Sequence, residues 1–200
     1  MSWIYALQEG ASLTFDETPE VQQSIRMRPA CDDVMCDVFN VTSDKIERFD
    51  KSTDLFILDQ QFAIDLRVKL PNNTQITGQE KALSYKFYKF RTFTMEFWQN
   101  RHTKEPGEFF KIASQFYLHG YSDASGVRFI EWKIIDILKL IVWLKSYGVE
   151  ALARKTRPSG GSRAAFLPIP YDKIPKDFIL AEKRHYENIE KPLWENVATL

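Results

Sequence analysis

Cysteine, histidine and net charge are all scarce in this 200-residue chain. Its two cysteines, Cys31 and Cys36, have no second Cys or His pair nearby, so neither a zinc cluster nor a disulfide framework is expected. Both fit one face of a helix as small apolar residues. The three histidines, His102, His119 and His185, show no metal-ligand spacing; His119 reads as a satisfied structural residue. Basic and acidic residues balance at 27 each. That removes the bulk signal for a nucleic-acid partner and leaves a local basic groove as the route to one. The opening residues lack a basic start followed by an apolar core, so no signal peptide is expected. The most apolar run, Ile134–Leu144, carries Asp136 and Lys139 and is too short to cross a bilayer. A soluble, cytoplasmic protein without membrane contact is the expectation. Ser159-Gly160-Gly161-Ser162-Arg163 lacks the Gly-Lys-Ser/Thr end of a phosphate loop and reads as a mobile loop. There is no local signature for Ser-His-Asp catalysis, no internal repeat and no low-complexity segment.

What is present is apolar and aromatic. The hydrophobic fraction is 44%, with 15 Phe, 8 Tyr and 5 Trp, which favours a packed core over disorder. The length suits one domain over residues 1–200, with a core at about residues 30–180, an N-terminal arm and a C-terminal helix and tail. Trp3, Ile4, Tyr5 and Leu7 form an apolar arm that could dock on the domain or on a second subunit of a homodimer.

Thr18-Pro19-Glu20 is a helix start, with Arg28-Pro29 expected to interrupt it. A second helical stripe follows at Cys31, Val34, Met35, Val38 and Phe39. Asp32 and Asp37 flank this stripe, and Asp33 points away from it. Residues 44–54 read as a charged loop, and Asp59-Gln60-Gln61 is expected to break the apolar run at Leu55–Leu58. Phe62–Leu70 alternates as a strand, Pro71-Asn72-Asn73 is a turn, and Thr74–Leu83 is the next strand. Further strands are expected at Thr92–Trp98, Gln115–Tyr121, Val127–Trp132 and Ala164–Ile169. A helix is expected over Lys133–Tyr147, burying Ile134, Ile137, Leu138, Ile141, Val142 and Leu144, with another from Phe178 onward.

Asp65 is an acid in the middle of an apolar strand, where an ionised carboxylate is costly unless paired. Its partner is either Lys81 or a divalent metal. Period two places Gln79 and Lys81 on one face of the following strand and Glu80 on the other, and the hairpin can set Asp65 beside Gln79 and Lys81. Two oxygen donors and an ammonium are what phosphodiester hydrolysis needs: hard oxygens hold Mg²⁺, a metal-bound water attacks, and lysine orients the water or stabilises charge on the phosphate. Lys86-Phe87-Tyr88-Lys89-Phe90-Arg91 interleaves bases with aromatics just beyond, so Lys86, Lys89 and Arg91 are candidates for the phosphate backbone. The alternative for the aromatics is burial. Glu96 is expected on a solvated strand face.

Asp65, thirteen intervening residues and then Gln79-Glu80-Lys81 resemble the PD-(D/E)XK nuclease superfamily in its Q-x-K variant. The resemblance spans roughly residues 30–145 and rests on a short motif. It implies an α/β, restriction-endonuclease-like fold: a mixed central β-sheet flanked by helices. It implies a Mg²⁺- or Mn²⁺-dependent deoxyribonuclease. Asp65 and Gln79 would be metal ligands, the backbone carbonyl of Glu80 would complete the set, and Lys81 would be the catalytic lysine. A further acid from the first helix is implied; Asp32, Asp33 or Asp37 could supply it, and Asp33 is carried forward. Two departures stand out: Ile64 rather than Pro precedes Asp65, and the amide of Gln79 replaces a charged ligand. The alternative reading is a non-catalytic nucleic-acid-binding or assembly module that retains the fold.

Overall fold

A computed structural model describes residues 18–49, 56–158 and 163–184; the N-terminal arm lies outside these residues. The first helix, α1 (Pro19–Phe39), starts as the sequence requires. Thr18 caps it by accepting from the Val21 N–H at 3.5 Å, and Pro19 occupies the first turn. The helix then runs unbroken through Pro29, contrary to expectation. Proline costs about 3 kcal/mol inside a helix. Met27, Cys31, Val34 and Met35 are buried on both sides of it, and each such apolar side chain contributes about 1.5–3 kcal/mol. Tertiary burial therefore overrides the local break. Asn40, left-handed at φ 52°, ends the helix.

The chain is α/β, with a mixed six-stranded central sheet. It comprises β1 (Ile46–Arg48), β2 (Leu66–Lys69), β3 (Gln75–Leu83), β6 (Phe116–Ser122), β7 (Phe129–Asp136) and β10 (Ile179–Arg184), adjacent in that order. Among the described residues only β3 and β6 pair in parallel. The excursion between them builds part of a second sheet: β4 (Thr92–Asn100) and β5 (Glu105–Pro106), joined by β8 (Arg157–Pro158) and β9 (Ala165–Pro170) in the order β5-β4-β9-β8.

The central sheet has two differently covered faces. Leu66, Val68, Phe116, Leu118 and Ile134 meet α1 on one side. On the other, Tyr117, Tyr121 and Ile135 meet Phe93, Met95, Phe97, Leu167 and Ile169 of the second sheet, together with α4 (Ile137–Lys145). Short helices α2 (Phe56–Phe62), α3 (Glu108–Lys111) and α5 (Val149–Ala153) complete the fold. Among the described residues no helix is long and apolar enough to cross a membrane.

Several expected elements shift. Ile46–Arg48 is a strand inside the expected charged loop, and α2 runs through Asp59-Gln60-Gln61. The strand expected from Phe62 begins only at Leu66. Lys133–Asp136 continue β7 rather than opening a helix, and α4 begins at Ile137 with Asp136 as its cap, accepting from the Lys139 N–H at 3.1 Å. Leu138 and Val142, expected to be buried, are exposed. Residues after Phe178 add strand β10 rather than a helix.

Gly78 is where β3 and β6 come closest to conflict. A Cβ there would lie 2.2 Å from the Phe116 ring. Gly78→Ala is expected to destabilise the fold by about 1–3 kcal/mol through overpacking, read as a fall in the urea midpoint at constant slope.

Candidate functional site

The loop carrying Asp65 is held from two sides. After α2 the chain turns through Ala63 in a left-handed conformation, φ 48°, a position that is unfavourable for a residue with a Cβ. Ser114 Oγ donates to the Ala63 carbonyl at 2.6 Å, and the Ala113 N–H donates to the Phe62 carbonyl at 2.8 Å, tying the turn to the segment after α3. The Asp65 N–H then reaches the Gly78 carbonyl at 3.0 Å. Asp65 Oδ2 accepts the backbone N–H of Glu80 at 3.0 Å. The carboxylate is thereby clamped against β3.

β3 keeps an uninterrupted register with β2 and β6, with no bulge at Gly78. Gln79 and Lys81 therefore face the second sheet, in register with Tyr117 and His119 of β6. Lys81 Nζ approaches the Thr94 carbonyl at 3.4 Å and lies 4.6 Å from the centre of the Phe166 ring. It makes no ion pair with Asp65. Glu80 points to the opposite face, where its side chain pairs with Arg48 at 2.9 and 3.0 Å while Arg48 also holds Asp32 at 2.7 Å.

Two further acids, Glu108 and Glu96, stand beside Lys81. Glu108, at the start of α3, is only 8% exposed. Its Oε2 accepts the Glu96 N–H at 3.3 Å, while its Oε1 is buried with no hydrogen-bond partner. Gln79 Oε1 is buried and unpartnered in the same way. Glu96, expected on a solvated face, is half-buried beside Glu108 and Lys81.

Burial is the main force on the shifted groups here. It raises the Asp65 carboxyl well above its ordinary range, and the charges of Asp59, Glu80 and Glu108 add to this against the Glu80 N–H. Asp59, Glu96 and Glu108 are raised mainly by burial too, with Lys81 pulling Glu108 back down. Tyr117 is raised by burial and by Glu108 and Asp65. His119 is held neutral by burial and by Lys81. Its Nε2 accepts the Thr94 N–H at 3.3 Å, so Nδ1 carries the proton and donates to the Tyr171 hydroxyl at 2.6 Å. His119 is thus fully engaged.

These shifts fix the sign of a pH effect. A raised carboxyl in the folded state binds protons that the unfolded chain has released, so stability falls as pH rises through the window above the ordinary carboxylate range. The metal-free protein is expected to melt at a higher temperature near pH 5 than near pH 8. The trend reverses at lower pH, where Asp44, lowered by Lys45 and Thr42, must be protonated. Asp123 acts in the same direction: burial raises it, but hydrogen bonds from Ser125 and the turn backbone outweigh that. Scanning calorimetry across pH checks both signs.

The structure brings Asp65, Gln79 and Lys81 to the same side of the hairpin and leaves the other candidates elsewhere. Asp33 is exposed on α1, as is Asp37, and Asp32 is bound to Arg48 on the far face of the sheet. Lys86 and Lys89 are exposed on a 3-10 helix at Tyr85–Phe90, lying over the Phe87 and Phe90 rings. Arg91 is committed to Glu131 through two bonds at 2.8 and 2.6 Å. Among the described residues no three His, Cys, Asp or Glu side chains are grouped so as to hold a metal by themselves. The oxygen set on this face is mixed: carboxylates of Asp65 and Glu108, the amide of Gln79, and main-chain carbonyls. No family model, curated protein or solved structure matches the chain.

Proposed function

We propose that this chain is a metal-dependent nuclease of restriction-endonuclease-like type that hydrolyses DNA phosphodiester bonds. The observation that carries this reading is the placement of Asp65, Gln79 and Lys81 on one side of the β2–β3 hairpin, with the buried Gln79 oxygen left without a partner. An unpartnered buried oxygen is expensive and calls for a cation or donor that the chain itself does not supply. The order of elements also fits the resemblance: a helix, an acid just ahead of a strand, a Q-x-K strand and a further parallel strand, in a mixed sheet.

Asp65 and Gln79, with the Glu80 carbonyl, are the residues that would hold Mg²⁺ or Mn²⁺. The ion would supply a lowered water pKa and neutralise charge on the phosphate. Lys81 is held by the Thr94 carbonyl and the Phe166 ring rather than by a carboxylate. Its ammonium is therefore available to a phosphate oxygen. Lys86 and Lys89 would contact the DNA backbone; Arg91, tied to Glu131, would serve mainly to fix the end of the 3-10 helix.

The test is cleavage of linear and circular duplex DNA by the full chain in Mg²⁺ and in Mn²⁺. Lys81→Ala should reduce the rate by about 100-fold or more. DNA binding without cleavage in either metal, with no metal uptake, would instead support a non-catalytic module retaining the fold. The amide at Gln79 is the feature that favours that second reading, because it removes one negative charge from the metal set.

A further inference from the structure

We infer that Glu108 supplies the charge that Gln79 lacks, as a third side-chain ligand of the cation site; this rests on the metal-dependent reading above. Three observations place its carboxylate there. Gln79 is in register with Tyr117, whose hydroxyl is hydrogen-bonded to the Glu108 carboxyl. Lys81, next but one to Gln79, reaches the Thr94 carbonyl, two residues from the Glu96 N–H that Glu108 holds. Its Oε1, in a side chain more than nine-tenths buried, has no partner, while Oε2 is already satisfied by the Glu96 N–H. One carboxylate oxygen is therefore fixed by the protein and the other is left over, as is the side-chain oxygen of Gln79.

A structural purpose explains Oε2 but not Oε1. If Glu108 served only to cap the Glu96 N–H, a neutral amide would do so without the cost of burying a charge. A buried carboxylate with a spare oxygen is useful to a hard divalent cation, which prefers charged oxygen donors. The acid expected from the first helix is not available for this role, since Asp32 is bound to Arg48 and Asp33 is exposed. Glu108 is delivered instead by the excursion between β3 and β6. Gly107, just before it, leaves room for the Glu96 carbonyl, which a Cβ would approach to 2.8 Å.

The experiment moves the charge. Mn²⁺ binding to the full chain without DNA is measured by calorimetry and by electron paramagnetic resonance for the wild type, Glu108→Gln, and the double variant Gln79→Glu/Glu108→Gln, with cleavage of duplex DNA in Mg²⁺ followed in parallel. Glu108→Gln keeps an acceptor for the Glu96 N–H and is expected to weaken Mn²⁺ binding by about 10–100-fold. The double variant should recover most of that loss. Equal affinity in wild type and Glu108→Gln overturns the inference, as does a loss that the double variant does not recover, or no Mn²⁺ binding by the wild type. If Glu108→Gln does not fold, Glu108→Asp takes its place, and unchanged affinity there is equally fatal. Metal binding that follows this charge pattern without any DNA cleavage upholds Glu108 as a ligand and rejects the nuclease reading alone.

Discussion

Asp65→Asn is expected to abolish Mg²⁺-dependent DNA cleavage, by about 1,000-fold or more, while raising the melting temperature of the metal-free protein. The two effects have one origin. Asp65 is half-buried near Asp59, Glu80 and Glu108, and its carboxyl is pushed well above the usual range by desolvation first and by those charges among the further causes. At neutral pH the ionised form is therefore a burden on the fold. Asparagine has the same shape and keeps an oxygen for the Glu80 N–H that Oδ2 now accepts at 3.0 Å. Removing the charge relieves the repulsion, so the melting temperature should rise. The same change removes the charged ligand that a divalent ion needs. Lys81→Met carries the opposite sign for stability. It withdraws the ammonium that lowers Glu96 and Glu108, so melting should fall along with cleavage. Fluorimetric melting beside a plasmid-nicking assay separates the cases. An Asp65→Asn protein that melts lower and still cuts DNA would show that Asp65 is structural.

The hairpin could be read from sequence because its signals are local. Leu66 and Val68 alternate with Arg67 and Lys69, Pro71-Asn72-Asn73 turns the chain, and β3 runs without a bulge, so counting by two placed Gln79 and Lys81 together and Glu80 opposite. The errors lie where more than one neighbour decides. Ile134–Leu144 is apolar except at Asp136 and Lys139, and periodicity cannot divide such a run into strand and helix. Asp136, the cap of α4, was the available signal. Pro29 was weighed as a local breaker although residues on both sides of it are buried against the sheet. Val142 was assigned to a core face but the second sheet does not reach it, and it is 71% exposed. Glu108 gave no signal at all. Its burial depends on β4 and α3 folding back over β3, and nothing in Pro106-Gly107-Glu108-Phe109 distinguishes it from a solvated glutamate at a helix start. Glu96, expected on a solvated face, is instead half-buried beside Glu108 and Lys81, which depends on the same long-range folding.

Arg48→Met tests the other face of β3 and is expected to produce the largest loss of stability among these variants. Arg48 joins Glu80 at 2.9 Å and Asp32 at 2.7 Å, and the Glu80 side chain is only 8% exposed. Without the guanidinium, Glu80 is left as a buried charge beside the Cys31 thiol, which burial and Glu80 already raise well above its ordinary value. Breaking one partner of such a buried pair costs about 3–5 kcal/mol, whereas replacing the whole pair by apolar groups of similar size is often neutral. The urea midpoint of Arg48→Met should therefore fall sharply, and Arg48→Met/Glu80→Leu should regain most of the loss. The double variant keeps the Glu80 backbone N–H that holds Asp65 and the main-chain carbonyl assigned to the metal, since neither depends on the side chain. It should consequently bind Mn²⁺ as the wild type does. Alternate residues of one strand then face different ways: Gly78 and Glu80 fasten β3 to its neighbours, and Gln79 and Lys81 face the second sheet. A double variant that is as stable as the wild type but has lost Mn²⁺ would place the Glu80 carboxylate, rather than its backbone, in the site.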